Sequence, residues 1–299
     1  MNGMFFKKNY SEYKPEKLPE NRKEQYFDIL KHNVLPFLLI GFIFLLFCLP
    51  VLISLFVRDY YFAVYSSHYA SGEITAEQYE SLTRSLLQTM NIVVSCCFLF
   101  LAFPFAGCSK MLRCYVWSEQ VFFFHDFFHG IKENFLKVFA FFLVIAASIY
   151  GLYTLQTLSG LPWVARYLPY GAFAILVLPP FLHFAVLINI YSQSAGKSLK
   201  NSFVLYFKTP FLTILFAALP LLSIYLVSLI DYVAIRLLVH SILIVAILPP
   251  YLLLWFTYAV SVLDKCVNKT LFPEVYKKGL YTKGDQKTPE EEEDEEEDA

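Results

Sequence analysis

The chain has 299 residues, of which 57% are hydrophobic, 18% are aromatic and only 16% are charged. An ordinary soluble domain carries about 25% charged residues, so this composition is typical of a membrane protein. The formal net charge is −1, nine of the negative charges belong to one run near the C-terminus, and no nucleic-acid partner is predicted.

Long apolar runs predict the membrane-spanning helices, because a helix needs roughly 20 apolar residues to cross a bilayer core. A hydrophilic stretch of about thirty residues precedes the first run, so that run is not a cleavable signal. The predicted fold class is therefore all-α, a polytopic membrane protein with six transmembrane helices. The runs are about Val34–Val57, Leu86–Cys108, Phe135–Leu158, Tyr170–Tyr191, Pro210–Ile230 and Val239–Leu263.

The distribution of lysine and arginine predicts the orientation of these spans. Of the 24 basic residues, 20 fall before the first span, after the last, or in the two loops that follow the second and fourth spans. Cytoplasmic loops are enriched in Lys and Arg, so both termini are predicted to be cytoplasmic and the membrane to be the plasma membrane. The spans then form three outward hairpins in contact with the lipid bilayer.

Three regions follow from this topology. Residues 1–33 are predicted to be a cytoplasmic N-terminal arm, residues 34–264 the six-helix transmembrane domain, and residues 265–299 a cytoplasmic tail. The tail contains Glu290–Asp298, nine consecutive acids, and such a run repels itself and stays disordered. This acidic tail is either a solubilising extension or an electrostatic clip for basic loops or a basic partner.

The largest external loop, about Arg58–Arg84, carries four acids against two arginines and is too short to fold alone. Within it, Thr75-Ala76-Glu77-Gln78 has the pattern of a capping box. The pattern predicts a helix that begins there and continues into the second span. A docking surface for an external partner is one hypothesis for this loop.

A short phrase recurs before each odd-numbered span: Leu30-Lys31-His32-Asn33, Ile131-Lys132-Glu133-Asn134 and Leu199-Lys200-Asn201-Ser202. An apolar residue is followed by a lysine that can reach the lipid headgroups and by a residue that can cap a helix. The repeat predicts one hairpin unit used three times, each with an interfacial elbow helix at its start.

Prolines also recur at matching positions. The even spans contain Pro104, Pro179-Pro180 and Pro249-Pro250, and the first and fifth spans contain Pro50 and Pro220. Each proline predicts a break in its span. Such breaks either free carbonyls for a midplane binding site or kink helices whose neighbours satisfy the backbone.

The stretch Val121–Phe135, VFFFHDFFHGIKENF, has two interpretations. In the first, Asp126 caps a short elbow helix of about Phe127–Glu133, phenylalanines enter the acyl boundary, and Lys132 faces the anionic inner leaflet. Gly130 then permits a tight approach or a bend.

In the second interpretation, His125, His129 and Glu133 recur every four residues and hold a metal ion on one helical face. The stretch has no second-shell partner and no zinc-enzyme motif such as H-E-x-x-H. Phenylalanines on every side suit an interfacial helix better, so the elbow is the preferred interpretation and no metal or other cofactor is predicted.

The segment from Leu112 to Phe135, LRCYVWSEQVFFFHDFFHGIKENF, resembles the signature region of the YesL-like family of bacterial membrane proteins, a domain of unknown function. The resemblance in span number and order extends over about Lys31–Lys265. It implies an accessory role beside carbohydrate uptake systems, with a sugar-transport subunit as partner. The matching residues are Arg113, Glu119, Asp126, Phe127, Lys132 and Asn134.

Chemistry inside the membrane is limited to one ionisable residue near mid-span, His183, three residues after Pro180. We expect its imidazole to bond a carbonyl freed by the proline break; the alternative is contact with a polar substrate or proton at a midplane site formed with Pro179, Pro180, Pro249 and Pro250. Polar residues within the spans are candidates for interhelical hydrogen bonds: Asn91, Ser95, Ser148, Gln156, Asn189 and Ser223.

No G-x-S-x-G motif and no glycine-rich phosphate loop occurs in the sequence, so an enzyme is not predicted. The functional hypothesis is a non-enzymatic accessory or regulatory component associated with carbohydrate uptake. The alternative is a transporter or channel with a midplane site at the proline-broken helices.

Overall fold

The computed structural model describes residues 18–158, 160–191 and 193–281, apart from the side chains of residues 156 and 157. These residues form α-helices, short 3-10 and π segments, and no strand. The acidic run Glu290–Asp298 lies outside the described residues. The α-helices are α1 (Arg22–His32), α2 (Val34–Ala70), α3 (Ala76–Phe98), α4 (Ala102–Val116), α5 (Phe123–Thr157), α6 (Trp163–Leu176), α7 (Leu178–Ile190), α8 (Ala195–Lys208), α9 (Pro210–Ser228), α10 (Val233–Ile242), α11 (Leu248–Leu263) and α12 (Lys269–Leu271).

Within the described part of the chain, six helical segments are long and apolar enough to cross a membrane. This confirms the all-helical class and the predicted number of spans. The chain is therefore a multi-pass membrane protein in contact with lipid. The segments are Val34–Ala70, Ala76–Val116, Phe123–Leu155, Trp163–Ile190, Pro210–Ser228 and Val233–Leu271.

The region predicted as the largest external loop is mostly helical, because α2 continues to Ala70 and α3 begins at Ala76. The start of α3 is the predicted capping box. The Gln78 backbone N–H donates to the Thr75 hydroxyl at 3.2 Å, and the Thr75 N–H donates to the Gln78 side chain at 2.9 Å. These bonds satisfy two N–H groups that a helix start otherwise leaves free.

The three even spans are interrupted just before their prolines, as predicted. A 3-10 segment, Leu99–Leu101, precedes α4; the α-helix is interrupted at Val177 before α7; a π segment, Leu243–Ile247, precedes α11. The prolines then lie in the first turn of the helix that follows, where backbone N–H groups have no intrahelical acceptor. Each even span is thus two helical segments that meet at a proline.

The predicted breaks at Pro50 and Pro220 are wrong, because both prolines lie inside continuous helices, α2 and α9. A proline at position i leaves the carbonyl of residue i−4 without its helical partner. For Pro220 this carbonyl belongs to Phe216, and the Tyr251 hydroxyl donates to it at 2.8 Å. A neighbouring helix therefore supplies the missing bond, which lets α9 continue.

The helices that follow the prolines form the core of the bundle. Most residues of α4, α7 and α11 are buried, and the three helices contact one another. In contrast, α6, α9 and α10 expose most of their apolar side chains, as lipid-facing helices do. Trp255 and Phe256, each 1% exposed, are the largest fully buried side chains.

Close helix crossings depend on glycines. A Cβ added to Gly41 on α2 would collide with the carbonyl of Val245, the group that Pro249 leaves without a helical partner. Gly130 on α5 lies against α4, where a Cβ would be 2.9 Å from the Ala106 carbonyl oxygen. The predicted tight approach at Gly130 is confirmed, and Gly130 lies within the continuous helix α5.

The three repeated phrases do not form three equivalent elbows. Only the first phrase ends at a helix break, at Asn33 between α1 and α2, whereas Lys132 lies inside α5 and Lys200 inside α8. The expected short helix at Phe127–Glu133 is therefore corrected to the first turns of one 35-residue helix. The shared residues do not determine a break, because α5 is held against α4 along this stretch.

The two ends of the described chain lie together. The Tyr281 backbone N–H donates to the Pro19 carbonyl at 3.0 Å, and α1 packs on α2, α4 and α11. We call this the terminal end of the bundle. The opposite end, formed by residues 71–75 and 229–232 between adjacent spans, is called the loop end.

Candidate functional site

At the terminal end, Glu119 holds two cations beside an indole ring. The Arg113 guanidinium lies 3.0 Å from one carboxylate oxygen and the Lys278 ammonium 2.9 Å from the other. Both cations also lie over Trp117, at 4.8 and 4.2 Å from the ring centroid. Burial by itself raises the pKa of Glu119, but Lys278 and Arg113 outweigh it and hold the pKa below its ordinary value.

Asp126 and Phe127 fasten the start of α5. The Phe122 backbone N–H donates to the Asp126 carboxylate at 2.7 Å. Phe122 is the N-cap residue of α5, so Asp126 is not itself the cap but accepts a hydrogen bond from the cap residue's N–H group. Phe127 is 5% exposed, and its ring lies against Gly107 of α4. Lys132 is exposed on the same helix.

Asn134 begins a chain of buried hydrogen bonds that links three helices. Its amide donates to the Asn189 side-chain oxygen at 2.9 Å, and the Asn189 amide donates to the Ser109 hydroxyl at 3.0 Å. Asn134, Asn189 and Ser109 are 3%, 6% and 2% exposed. Buried polar groups are costly unless they are bonded, so this chain fixes the relative positions of α4, α5 and α7.

The other polar candidates contribute less to contacts between helices. Ser148 and Ser223 donate to carbonyls of their own helices, those of Val144 and Leu219. The Ser95 hydroxyl is buried without a partner among the described residues. The side chain of Gln156 lies outside the described residues.

An interaction that the sequence analysis did not identify joins the two terminal segments. The Arg22 guanidinium lies 2.8 Å from the Asp264 carboxylate, with both side chains at most 9% exposed. Arg22 also donates to the carbonyls of Val116 and Lys278, each at 3.1 Å. We call this the terminal clamp; its one sequence signal is an aspartate directly after the last apolar run.

The predicted histidine face does form on α5, but its groups are paired with one another. The Glu133 carboxylate binds the His129 ring at 2.7 Å and also the Lys110 ammonium. His125, whose side chain is 75% exposed, pairs with Asp126. Within the described residues, no three His, Cys, Asp or Glu side chains are grouped as metal ligands would be.

His183 lies in the packed core at 1% exposure. Its Nε2 lies 3.2 Å from the Thr213 hydroxyl on α9, not beside a carbonyl freed by Pro179 or Pro180, which corrects the expected partner. The Thr213 hydroxyl donates to the Thr209 carbonyl at 2.7 Å, so it accepts from the imidazole N–H. The ring also meets Trp255 edge to face, with centroids 5.0 Å apart.

At the loop end, a cavity of about 150 Å³ lies between α2, α5, α9 and α10. Two arginines line it, Arg58 and Arg236, and both pair with Asp59. His240, Tyr153 and Ser228 are the other polar residues in its wall. The sequence signal was the presence of these two arginines among the few basic residues on the predicted external side.

Neither a protein-family model, nor a curated protein, nor a solved structure matches this chain.

Proposed function

We propose that this multi-pass membrane protein is non-enzymatic and acts as an accessory or regulatory subunit of a transport system. The proposal includes cytoplasmic termini, which the distribution of Lys and Arg supports, and a bacterial plasma membrane, which the resemblance to the YesL-like family implies. The link to carbohydrate uptake rests on the resemblance to the YesL-like family at Arg113–Asn134.

The packing around His183 is the observation that favours an accessory role over a solute pathway. The imidazole is held between Thr213 of α9 and Trp255 of α11, and Trp255 donates to the Leu182 carbonyl at 2.8 Å. This packing places side chains near the proline breaks, where a transporter built on broken helices binds its substrate. It supports the interpretation that the prolines restart core helices rather than open a site.

Purification in mild detergent tests this function. A tagged chain is expected to retain a stoichiometric subunit of a transport system, identified by mass spectrometry. The matched control is the same chain with Asn134→Ala and Asn189→Ala, which disrupts the contact between α5 and α7 at the terminal end. A chain that purifies alone and moves solute across liposome membranes would contradict the proposal.

The second candidate, a transporter or channel, is favoured by the charged cavity at the loop end. Arg58, Asp59 and Arg236 line an opening beside the segments that precede the proline in the sixth span. On this proposal, rearrangement of α10 about the π segment Leu243–Ile247 connects the cavity with His183. Solute flux in liposomes that His183→Ala abolishes would select this candidate.

A further inference from the structure

The cavity at the loop end carries a net positive charge. Arg58 and Arg236 each contribute one positive charge and Asp59 one negative charge, so with neutral His240 the lining sums to +1. Asp231 lies in the loop before α10, is exposed, and is not among the lining residues. The lining therefore contains two arginines and a single carboxylate, which both arginines share.

Arg58 and Arg236 share Asp59 as a partner, and each keeps guanidinium N–H donors that do not bond to it. Asp59 accepts from Nε and Nη2 of Arg58 at 2.9 and 2.8 Å through one oxygen, and from Nη2 of Arg236 through the other. A guanidinium has five N–H donors, so each arginine keeps donors beyond these bonds. The carboxylate thus positions two guanidinium groups from α2 and α10 side by side.

Other residues in the wall add polar groups and an apolar surface. Tyr153 on α5 is one of the lining residues. His240 donates through Nδ1 to the Arg236 carbonyl at 2.9 Å, so the Nε2 of the neutral ring can only accept a hydrogen bond. The remaining wall includes Leu52, Phe56 and Leu237, which suit a hydrocarbon chain. The volume is roughly tenfold the ~10–15 Å³ that one water requires, so a polyatomic anion has room.

We propose that this cavity binds one phosphate oxyanion, held by Arg58 and Arg236, and that Asp59 positions the two guanidinium groups. Arginine forks match phosphate oxygens in pairs, and at the edge of the apolar region such contacts are less screened than in water. The phosphate belongs either to an anionic lipid headgroup, whose chain follows the apolar wall, or to phosphate from solution. This inference is independent of the accessory role.

The test uses the full chain and two probes. Native mass spectrometry counts phosphatidic acid retained from nanodiscs of phosphatidylcholine with and without phosphatidic acid, and calorimetry in detergent measures binding of inorganic phosphate. Arg58→Gln with Arg236→Gln is expected to lower affinity at least about tenfold. Arg84→Gln is the matched control, because Arg84 pairs with Glu80 on the surface of α3 and is not part of the cavity wall.

Asp59→Asn tests the positioning role. The Asn amide has one acceptor oxygen in place of the two that hold Arg58 and Arg236, so phosphate affinity should fall severalfold although the lining charge rises to +2. Increased affinity would show that Asp59 competes with the anion for the arginines and does not position them. If the double arginine variant does not fold, adding Asp59→Asn removes the unpaired charge and provides a neutral cavity for the same comparison.

Each outcome decides the proposal. Retention of phosphatidic acid that depends on the arginines identifies a lipid site, and binding of inorganic phosphate alone identifies a soluble anion. Failure of the wild-type chain to bind either probe, or an equal loss in Arg84→Gln, overturns the proposal.

Discussion

Individual side chains at the terminal end connect helices that are far apart in the sequence. The salt bridge between Arg22 and Asp264 spans 242 positions, and the bond between Asn134 and Asn189 spans 55. A buried ion pair is weak support for stability by itself, but removal of one partner leaves a costly unpaired charge. These contacts therefore specify one arrangement of the helices at this end.

Asp126 is expected to contribute to stability and its histidine neighbours are not. Asp126→Ala removes the acceptor for the Phe122 N–H and should cost about 1 kcal/mol of unfolding free energy. Thermal unfolding in detergent measures the effect. His125→Ala with His129→Ala is the control and should change stability little, because both rings are partly exposed. Stoichiometric zinc that disappears in the double variant would instead support the metal hypothesis.

Glu119 predicts a dependence of stability on pH. Its pKa in the folded protein lies below the ordinary value of 4.5 because Lys278 and Arg113 outweigh the effect of burial. A lowered folded pKa gives stability that is present above the unfolded pKa and is lost as pH falls through the folded pKa. Unfolding of the wild type should therefore become easier below about pH 4.5, and Glu119→Gln should reduce this slope.

The matched control for that experiment is Glu77→Gln, which changes an exposed carboxyl in the first turn of α3, away from the terminal end. Equal slopes in the Glu119→Gln and wild-type proteins would show that the pair of cations at Trp117 does not stabilise the fold.

At the scale of elements, the proline-interrupted even spans organise the bundle. Each second segment, α4, α7 or α11, is mostly buried, whereas the first segments α3, α6 and α10 have few buried residues or none. At the break before α11, the backbone of Gly41 on α2 lies close to the Val245 carbonyl in the π segment. The helix break and the close contact between α2 and the sixth span therefore occur at the same place.

Gly41→Ala should destabilise the protein by about 1–3 kcal/mol, since the new methyl group overpacks the contact between α2 and the π segment. Gly151→Ala is the matched control: Gly151 is also helical, and a Cβ there meets nothing within 4 Å. That change should stabilise by about 0.5–1 kcal/mol. Similar effects of the two substitutions, measured by unfolding in detergent, would contradict the proposed crossing.

Replacement of Pro179-Pro180 and Pro249-Pro250 with Ala-Ala tests the role of the breaks. If the prolines only restart packed helices, the variants should fold, change stability by a few kcal/mol at most, and retain their partner on purification. If the breaks open a midplane site, the folded variants lose solute movement in liposomes and His183→Ala shares the loss. We expect the first result.

Local chemistry explains which features of the fold could be predicted. Apolar length predicted the spans, Thr75 and Gln78 predicted the start of α3, and Pro179 predicted the break before α7. The same residue type at Pro220 did not break α9, because Tyr251 of another span bonds the freed carbonyl. The partner of His183 and the Arg22–Asp264 pair were not predictable, since each depends on which distant helices meet.

At the scale of the whole molecule, two polar regions lie at opposite ends of an apolar bundle. The terminal end joins Arg22, Asp264 and the cluster around Glu119, while the loop end contains the cavity lined by Arg58 and Arg236. We propose that the terminal end of this six-span bundle faces the cytoplasm. The proposed partner and the proposed anion would then bind on opposite sides of the membrane.

Labelling of single cysteines in intact cells tests that claim most directly, with the native cysteines replaced and a membrane-impermeant maleimide as the probe. An introduced thiol at Ser71 or Arg166 should react from outside. One at Lys283, or at Lys197, which is exposed next to the buried Ser198, should react only after the membrane is permeabilised. External labelling at Lys283 or Lys197, or protection at Ser71, would contradict the six-span arrangement with cytoplasmic termini.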